Sequence, residues 1–266
     1  MKILFLGTSS GAGKTTIAAM FCRYLKKNGV RVVPFKSSNL SSNAYVTKDG
    51  RKIGKGQAFQ AILSGLEPVA DMNPVLIVPS DGGLQTIVNG HPAEKTYGRD
   101  ELLSIALEAF DRLAANYEAV VCEGSGSPAE LNLMERDIAN MRLAGERSIP
   151  VVLVGDIERG GVFAGLYGTW KLIPEKDRGL MRGFIINRFR GDPSLLSKGT
   201  DRITELTGMK YLGVMPLMDV NFPEEDSLSK SGRNATQDQY IQDMDEFLKV
   251  AEDALDLKEI RRIAEG

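Results

Sequence analysis

The sequence has few of the residues that build disulfide frameworks and zinc centres. Its 266 residues include two cysteines, one histidine and one tryptophan. Cys22 lies in a predicted helix and Cys122 in a predicted strand, which favours core positions over a disulfide and suits a reducing compartment. His91 lies beside Pro92 in a predicted loop, without a second histidine or a nearby cysteine. The sequence therefore gives no support for a zinc site.

Strong charge and long apolar segments are also lacking. The formal net charge is −2, so no electrostatic argument favours nucleic acid or an anionic membrane as a partner. No apolar run approaches the length of a membrane-spanning helix, and the first residues lead into an apolar stretch without signal-peptide features. We therefore expect a cytoplasmic protein, and the length suits one α/β domain.

The most informative feature of the sequence is a glycine-rich motif near its start. Residues 3–6 are apolar and predict a strand, residues 7–16 read GTSSGAGKTT, and a helical pattern follows. This context predicts a P-loop, in which backbone N–H groups, a helix N-terminus and a lysine cradle polyphosphate. The predicted nucleotide-binding residues are Gly11, Ala12, Gly13, Lys14, Thr15 and Thr16. Lys14 would reach the β- and γ-phosphates, and the Thr15 hydroxyl would bind Mg²⁺. The alternative is an ordinary glycine-rich turn. It is disfavoured because such a turn does not require a strand before it and a Gly-Lys-Thr sequence with a helix after it.

Further apolar runs alternate with helical patterns along the chain. Strands are predicted at residues 30–35, 119–122, 150–156, 183–187 and 211–214. This alternation predicts an α/β fold with a doubly wound, mainly parallel sheet that binds ligands at the carboxyl ends of its strands. Residues 36–100 are poor in strand signals and rich in Ser, Asn and Gly, so we predict a functional insertion there.

Charged residues follow two of the predicted strands. Glu123 ends the run at 119–122, and we predict that it contacts Mg²⁺ together with Thr15, the alternative being a solvated carboxylate. Lys36 follows the strand at 30–35 and is predicted to stabilise the transferring phosphoryl group, the alternative being an ordinary surface lysine.

Two other predicted strands end in candidate residues. Asp156 is a candidate catalytic carboxylate, and we expect it to crowd Glu123 when no metal is bound. Gly160 and Gly161 would let the backbone approach a ligand closely, or else form a helix entry. Asn187 offers an amide to a purine, which spacing alone indicates only weakly.

In combination these segments resemble the cobyric acid synthase family, the CobQ/CbiP group of the dethiobiotin-synthetase-like P-loop superfamily. The spacing from Gly7 to Thr15, one residue longer than the common P-loop, is that superfamily's version. The closer similarity runs in order over nearly all of residues 1–228. It is carried by PFKSSNL (34–40), DMNPVL (71–76), EGSGSPAELNL (123–133), ERDIAN (135–140), DIERGGVF (156–163) and NRFRGD (187–192).

The resemblance implies ATP- and Mg²⁺-dependent amidation of peripheral carboxylates on a corrin ring, adenosylcobyrinic acid a,c-diamide in the usual member. An acyl phosphate would form and ammonia would displace its phosphate. Thr15 and Glu123 would hold Mg²⁺, Lys14 and Lys36 would stabilise the γ-phosphoryl group, and Asn187 would meet the adenine. The corrinoid side would be lined by Asn39, Asn43, Glu130, Asn132, Arg136, Asp137 and Asp156, with Gly160 and Gly161 beside them.

The chain departs from the family in one respect. Family members usually continue into a glutamine amidotransferase domain with a Cys-His-Glu triad, and Cys22, Cys122 and His91 provide no such triad here. The resemblance then implies free ammonia or a separate glutaminase subunit as nitrogen source, and it leaves a homodimer open. We expect residues 1–228 to form the synthetase domain. Residues 229–266 would supply a linker and an amphipathic helix packed on it, with Ile241, Met244, Leu248, Ala251 and Leu255 on one face.

Other functions are open at this point. One is a stand-alone carboxylate-activating ligase that acts on a different substrate, in the manner of dethiobiotin synthetase. Another is a corrinoid- or nucleotide-binding module without amidation. A partitioning-type ATPase switch is disfavoured, because such loops carry an extra lysine where this chain has Ser9.

Overall fold

The computed structural model describes residues 1–41, 44–80, 83–220 and 236–266. Its strands are β1 (Lys2–Gly7), β2 (Val32–Phe35), β3 (Ser38–Leu40), β4 (Ala44–Val46), β5 (Lys52–Gly54), β6 (Val75–Ser80), β7 (Gly83–Val88), β8 (His91–Pro92), β9 (Ala119–Glu123), β10 (Val151–Asp156), β11 (Met181–Phe189) and β12 (Lys210–Pro216). Its α-helices are α1 (Lys14–Lys27), α2 (Lys55–Leu63), α3 (Arg99–Asn116), α4 (Met141–Arg147), α5 (Val162–Leu172), α6 (Ser197–Thr207), α7 (Gln237–Ala254) and α8 (Leu257–Glu265).

Six strands form one sheet in the order β12-β11-β10-β1-β9-β2, and every neighbouring pair is parallel. The predicted strands at residues 30–35, 119–122, 150–156, 183–187 and 211–214 are all present, with ends shifted by at most two residues. The predicted parallel α/β sheet is therefore confirmed. The carboxyl ends of β1, β2, β9, β10 and β11 meet at one edge, which is where a ligand site is expected.

Helices cover both faces of this sheet, because its strands are apolar on both sides. Ile3 and Phe5 of β1 pack into a core with residues of α1, α7 and α8. Leu4 and Leu6 of the same strand point the other way, into a core with residues of α3, α4, α5 and α6. The alternation is the two-residue period of a strand, and it makes the sheet doubly wound.

Residues 36–100 contain more regular structure than the sequence indicated. Strands β3, β6, β7 and β8 form a second sheet, β4 and β5 pair as a hairpin, and α2 follows them. The weak strand signals of this region therefore did not reveal its strands. Four of them, β3, β4, β5 and β8, are only two or three residues long, and the first residues of β7 are exposed.

The end of the chain packs against the helix that follows the P-loop. Helix α7 contributes Met244, Phe247 and Leu248 to the core that contains α1. Asp245 on α7 forms a salt bridge with Arg23 on α1, with 2.8 Å between Asp245 Oδ1 and Arg23 Nε. The predicted amphipathic helix is thus present, whereas α8 was not foreseen. The predicted linker at residues 229–235 lies outside the described residues.

Both cysteines are buried and free, as expected of core residues. Burial raises the pKa of the Cys22 thiol to about 12 and that of Cys122 still further. Across the described ranges, no helix combines the length and the hydropathy that a membrane span requires.

Candidate nucleotide site

The glycine-rich loop connects β1 to α1 at the carboxyl edge of the main sheet. Gly11 and Gly13 have φ values of +72° and +93°, which favour glycine. A Cβ on Gly13 would lie 2.1 Å from Asn187 Nδ2, so a side chain at this position would collide with the end of β11. The loop is therefore held between two strand ends, as a phosphate-binding turn requires.

Lys14 and Thr15 begin α1 at the point where the loop ends. The Lys14 side chain is only 1% exposed, so its ammonium group is held inside the site. The Thr15 hydroxyl donates a hydrogen bond of 2.6 Å to Glu123 Oε1. The structure thus brings together the two residues that the sequence assigned to one metal ion.

Glu123 ends β9 and Lys36 follows β2, its neighbour in the sheet. Both side chains are completely buried, and Lys36 Nζ lies 3.0 Å from Glu123 Oε1. A solvated carboxylate and an ordinary surface lysine, the two alternatives, are therefore both wrong. A buried charge is costly unless it is paired and hydrogen-bonded, and here each charge has its partner.

Two glutamines on α2 complete the surroundings of Glu123. Gln60 Nε2 donates to Glu123 Oε2 at 2.9 Å, and Gln57 Nε2 lies 3.4 Å from the same oxygen. Gln57 in turn accepts a bond of 3.3 Å from Asn39 Nδ2. Gln60 received no role from the sequence. The available signal was its three-residue spacing from Gln57, which places both amides on one helical face.

The Thr15–Glu123 pair fits a magnesium ion. Both groups offer hard oxygen ligands, and their oxygens are close enough to share one cation. Mg²⁺ usually takes one or two protein carboxylates and fills its remaining positions with phosphate oxygens and water. The same Glu123 oxygen that would bind the metal is also the one that Lys36 contacts, so metal binding and the position of Lys36 are coupled.

Asp156 lies elsewhere on this edge. It ends β10, which is separated from β9 by β1, and its carboxylate is 3.0 Å from Arg188 Nη1. Its other oxygen accepts a bond from the Glu158 N–H. The expectation that Asp156 crowds Glu123 is wrong, because β1 lies between the two strands and each carboxylate pairs with a different basic side chain. Gly160 and Gly161 have positive φ values, and Gly161 is the N-cap of α5, so they form a helix entry.

Asn187 near the end of β11 is buried, and its Nδ2 donates to Ala12 O at 3.0 Å. The residue that the sequence predicts to contact adenine therefore lies directly against the phosphate-binding loop.

A cavity of about 340 Å³ opens beside the loop. Ser10 of the loop lines it, together with the predicted substrate residues Glu130, Arg136 and Asp137. The exposed apolar side chains of Leu40 and Leu133 also face it. The site thus has two halves. The first is the phosphate-binding loop with the residues around Glu123, and the second is the cavity, whose lining combines charged side chains with apolar surface.

Not all of the predicted substrate residues line this cavity. Asn39 on β3 is buried and Asn132 is exposed, and neither belongs to the lining. Asn43 lies outside the described residues. Asp137 lines the cavity, but its carboxylate accepts the N–H groups of Ala139 and Asn140 and so shapes the turn before α4.

Comparison with known proteins identifies a family and related sequences. The model of the CobQ/CobB/MinD/ParA nucleotide binding domain, CbiA, matches residues 3–229. The chain is 50% identical over 236 residues to a probable cobyric acid synthase from Methanoculleus marisnigri, an alignment that covers 86% of this chain and 48% of that protein. It is 48% identical over 221 residues to the cobyric acid synthase of Cutibacterium acnes, covering 80% and 46%.

A solved structure, chloroplast FtsY from Physcomitrella patens, matches with a TM-score of 0.49 and 17% identity over 91% of this chain and 64% of that one. This likeness is too weak to add to the fold assignment.

The fold and the loop at its carboxyl edge define a P-loop protein with a nucleotide-binding domain. More particularly, the chain belongs to the CobQ/CobB/MinD/ParA nucleotide binding domain family. It spans about half the length of the curated relatives it matches, which are named cobyric acid synthase.

Proposed function

We propose that residues 1–228 are the ATP-dependent amide synthetase of a corrinoid-amidating enzyme. The observation that supports this most is the buried Glu123 carboxylate, which is bonded to Thr15 of the P-loop and to the buried Lys36. Ser10 of the same loop lines the cavity. Phosphoryl transfer needs positioned charges more than it needs reactive side chains, and this group supplies them.

The proposed chemistry begins with activation of a carboxylate. An oxygen of a corrinoid carboxylate attacks the γ-phosphorus of ATP, the bond to the β-γ bridging oxygen breaks, and ADP leaves. Ammonia then attacks the carbonyl carbon of the acyl phosphate, the C–O bond to phosphate breaks, and inorganic phosphate leaves with the proton passing to solvent. Lys14 and Lys36 would stabilise the negative charge on the transferring group.

Bound Mg²⁺, held by Thr15 and Glu123, would neutralise charge on the β- and γ-phosphates. Lys36 shares Glu123 Oε1 with Thr15. Lys36 would supply positive charge beside the transferring phosphoryl group. Asn187, held against Ala12, would lie next to the adenine.

The cavity suits a substrate that is apolar in part and carries carboxylates. Arg136 provides a planar donor group for a carboxylate, and Leu40 and Leu133 provide apolar surface for a ring edge. The relatives' name, cobyric acid synthase, is the reason for proposing a corrinoid, with cobyrinic acid a,c-diamide as the first candidate.

The nitrogen is proposed to come from ammonia that is either free or supplied by a glutaminase outside these 266 residues. Glutaminase chemistry with a thiol needs an accessible thiolate. The two cysteines of this sequence are both buried, and burial raises the pKa of each thiol far above neutrality. The isolated chain is therefore expected to use ammonium and to leave glutamine unused.

The test is incubation of the purified chain with Mg²⁺, ATP, ammonium and cobyrinic acid a,c-diamide. Mass spectrometry should show conversion of carboxylic acids to amides, with one ADP formed per amide. Glutamine in place of ammonium should give no amide. If ATP is consumed only with a different carboxylate, the chain is better assigned as a stand-alone ligase. If no substrate stimulates ATP consumption, it is better assigned as a binding module.

A further inference from the structure

Arg188 is an uncommon residue in its backbone conformation and in its contacts. Its φ is +63°, in the left-handed region that glycine favours and that side chains rarely adopt. It is the residue after Asn187 near the end of β11, beside the phosphate-binding loop. Such conformations persist where the surroundings enforce them, and they occur most often at functional sites.

The Arg188 side chain reaches across the end of β10 to the loop. Its Nη1 atom donates to Gly11 O at 2.6 Å and lies 3.0 Å from Asp156 Oδ2. The side chain of Arg188 is 26% exposed and that of Asp156 is 18% exposed. A guanidinium between a carbonyl and a carboxylate is thus held in place mainly by protein groups rather than by water.

Two consecutive carbonyl groups of the loop are fixed in this way. Arg188 binds Gly11 O, and Asn187 binds Ala12 O. Because a trans peptide is planar, its N–H points opposite to its C=O. Fixing the two carbonyls therefore fixes the N–H groups of Ala12 and Gly13, which belong to the loop that would hold phosphate.

We propose that Arg188 is a positioning residue that sets the peptide orientations of the phosphate-binding loop, and that Asp156 acts through Arg188. The inference rests on the proposed function only in taking nucleotide as the ligand of this loop. It replaces the catalytic role predicted for Asp156, whose carboxylate is occupied by Arg188 and by the Glu158 N–H.

The chain contains a matched control two residues further along both strand ends. Arg190 and Glu158 form a pair at 2.9 Å, with 68% and 39% of their side chains exposed. The comparison is between Arg188→Met and Arg190→Met. Each change removes one guanidinium and keeps the aliphatic stem, and Met at 188 leaves the backbone strain unrelieved.

Two measurements test the proposal. Calorimetric binding of ADP without Mg²⁺ should weaken about tenfold in Arg188→Met, the size of one charge-assisted hydrogen bond, and stay within about twofold in Arg190→Met. Hydrogen exchange of the segment 7–16 in the nucleotide-free protein should quicken in Arg188→Met alone. Arg188→Lys should restore part of the ADP affinity and part of the protection from exchange. An ammonium group can bind one of the two acceptors well, but it lacks the fixed planar geometry that serves both.

Asp156→Asn tests the second part of the proposal. It should weaken ADP binding less than Arg188→Met does, and it should add nothing in the double variant, because Asp156 acts through the arginine. Additive losses would overturn the role of Asp156. Unchanged ADP binding and exchange in Arg188→Met, or equal changes in Arg190→Met, would overturn the role of Arg188. If the wild-type chain binds no ADP, the proposed function fails, while the exchange of segment 7–16 still decides whether Arg188 sets the loop.

Discussion

The two halves of the site differ in how far their polar side chains are buried and bonded. Around the buried Glu123 carboxylate, the partly buried Thr15 lies at 2.6 Å, and the buried Gln60 and Lys36 lie at 2.9 and 3.0 Å. Around the cavity the side chains of Glu130 and Arg136 are exposed. The backbone there consists of turns and the 3-10 helix Met134–Arg136.

This difference reflects what each half is proposed to bind. Phosphate and Mg²⁺ are small, and their charges are stabilised by groups fixed in advance in a site that excludes water. A large ring with several carboxylates presents many contacts, each of modest value, which an open surface with exposed Leu40 and Leu133 can provide. We therefore expect changes in the first half to affect turnover, and changes in the second to affect substrate affinity.

The largest effect is expected from Lys14→Ala. ATP turnover should fall by about 10³-fold or more, because a positioned charge on the phosphates is lost. Lys14 is buried, so a melting curve must accompany the assay. Lys249→Ala is the control, since Lys249 is an exposed lysine on α7. Wild-type turnover in the Lys14 variant would show that the loop does not carry the chemistry.

Glu123→Gln is expected to have the next largest effect. The amide keeps the shape of the side chain but loses the charge that binds the cation, so turnover should fall by about 10² to 10³-fold. Nucleotide binding without Mg²⁺ should persist, because the loop and Lys14 remain. Turnover at saturating Mg²⁺ and ADP affinity without Mg²⁺ separate these two effects.

The same change should also lower stability, because it leaves the buried Lys36 ammonium without its carboxylate. Removal of one partner of a buried pair costs about 3 kcal/mol or more, which is roughly 6–12 °C in Tm for a chain of this size. Lys36→Met combined with Glu123→Gln should recover much of that loss without restoring turnover. An unchanged Tm in Glu123→Gln would show that the pair is not maintained in solution.

The sequence predicted the first half of the site better than the second, for a physical reason. Strands buried on both faces read as continuous apolar runs, so the ends of β2, β9, β10 and β11 could be located. The residues at those ends, Lys36, Glu123, Asp156 and Asn187, then share one edge of the parallel sheet. Glu123 and Asp156 are separated because β1 lies between β9 and β10 in the sheet. This strand order depends on the whole fold and cannot be read from the local sequence.

Gln60 and Arg188 were missed for a related reason. A glutamine on a helix and an arginine after a strand are ordinary surface residues in a sequence, and only the packing of α2 and β11 against the loop gives them partners. The surroundings of the cavity were predicted through resemblance alone. Its turns between residues 125 and 140 have neither helical nor strand periodicity, so spacing could not show which side chains face inward.

The smallest effect is expected in the second half, from Arg136→Ala. Arg136 lines the cavity and is exposed, so its loss should leave Tm and ADP affinity unchanged. The KM for the corrinoid should rise about tenfold, the value of one charge-assisted contact to a carboxylate, with kcat reduced at most about twofold. Arg142→Ala is the matched control, because Arg142 is an exposed arginine on α4 that pairs with Glu146. Equal KM values for the two variants would place the substrate outside this cavity. A large fall in kcat with unchanged KM would mean that the cavity side of the site, too, is organised around the reacting group, and the contrast between the two halves would then not hold.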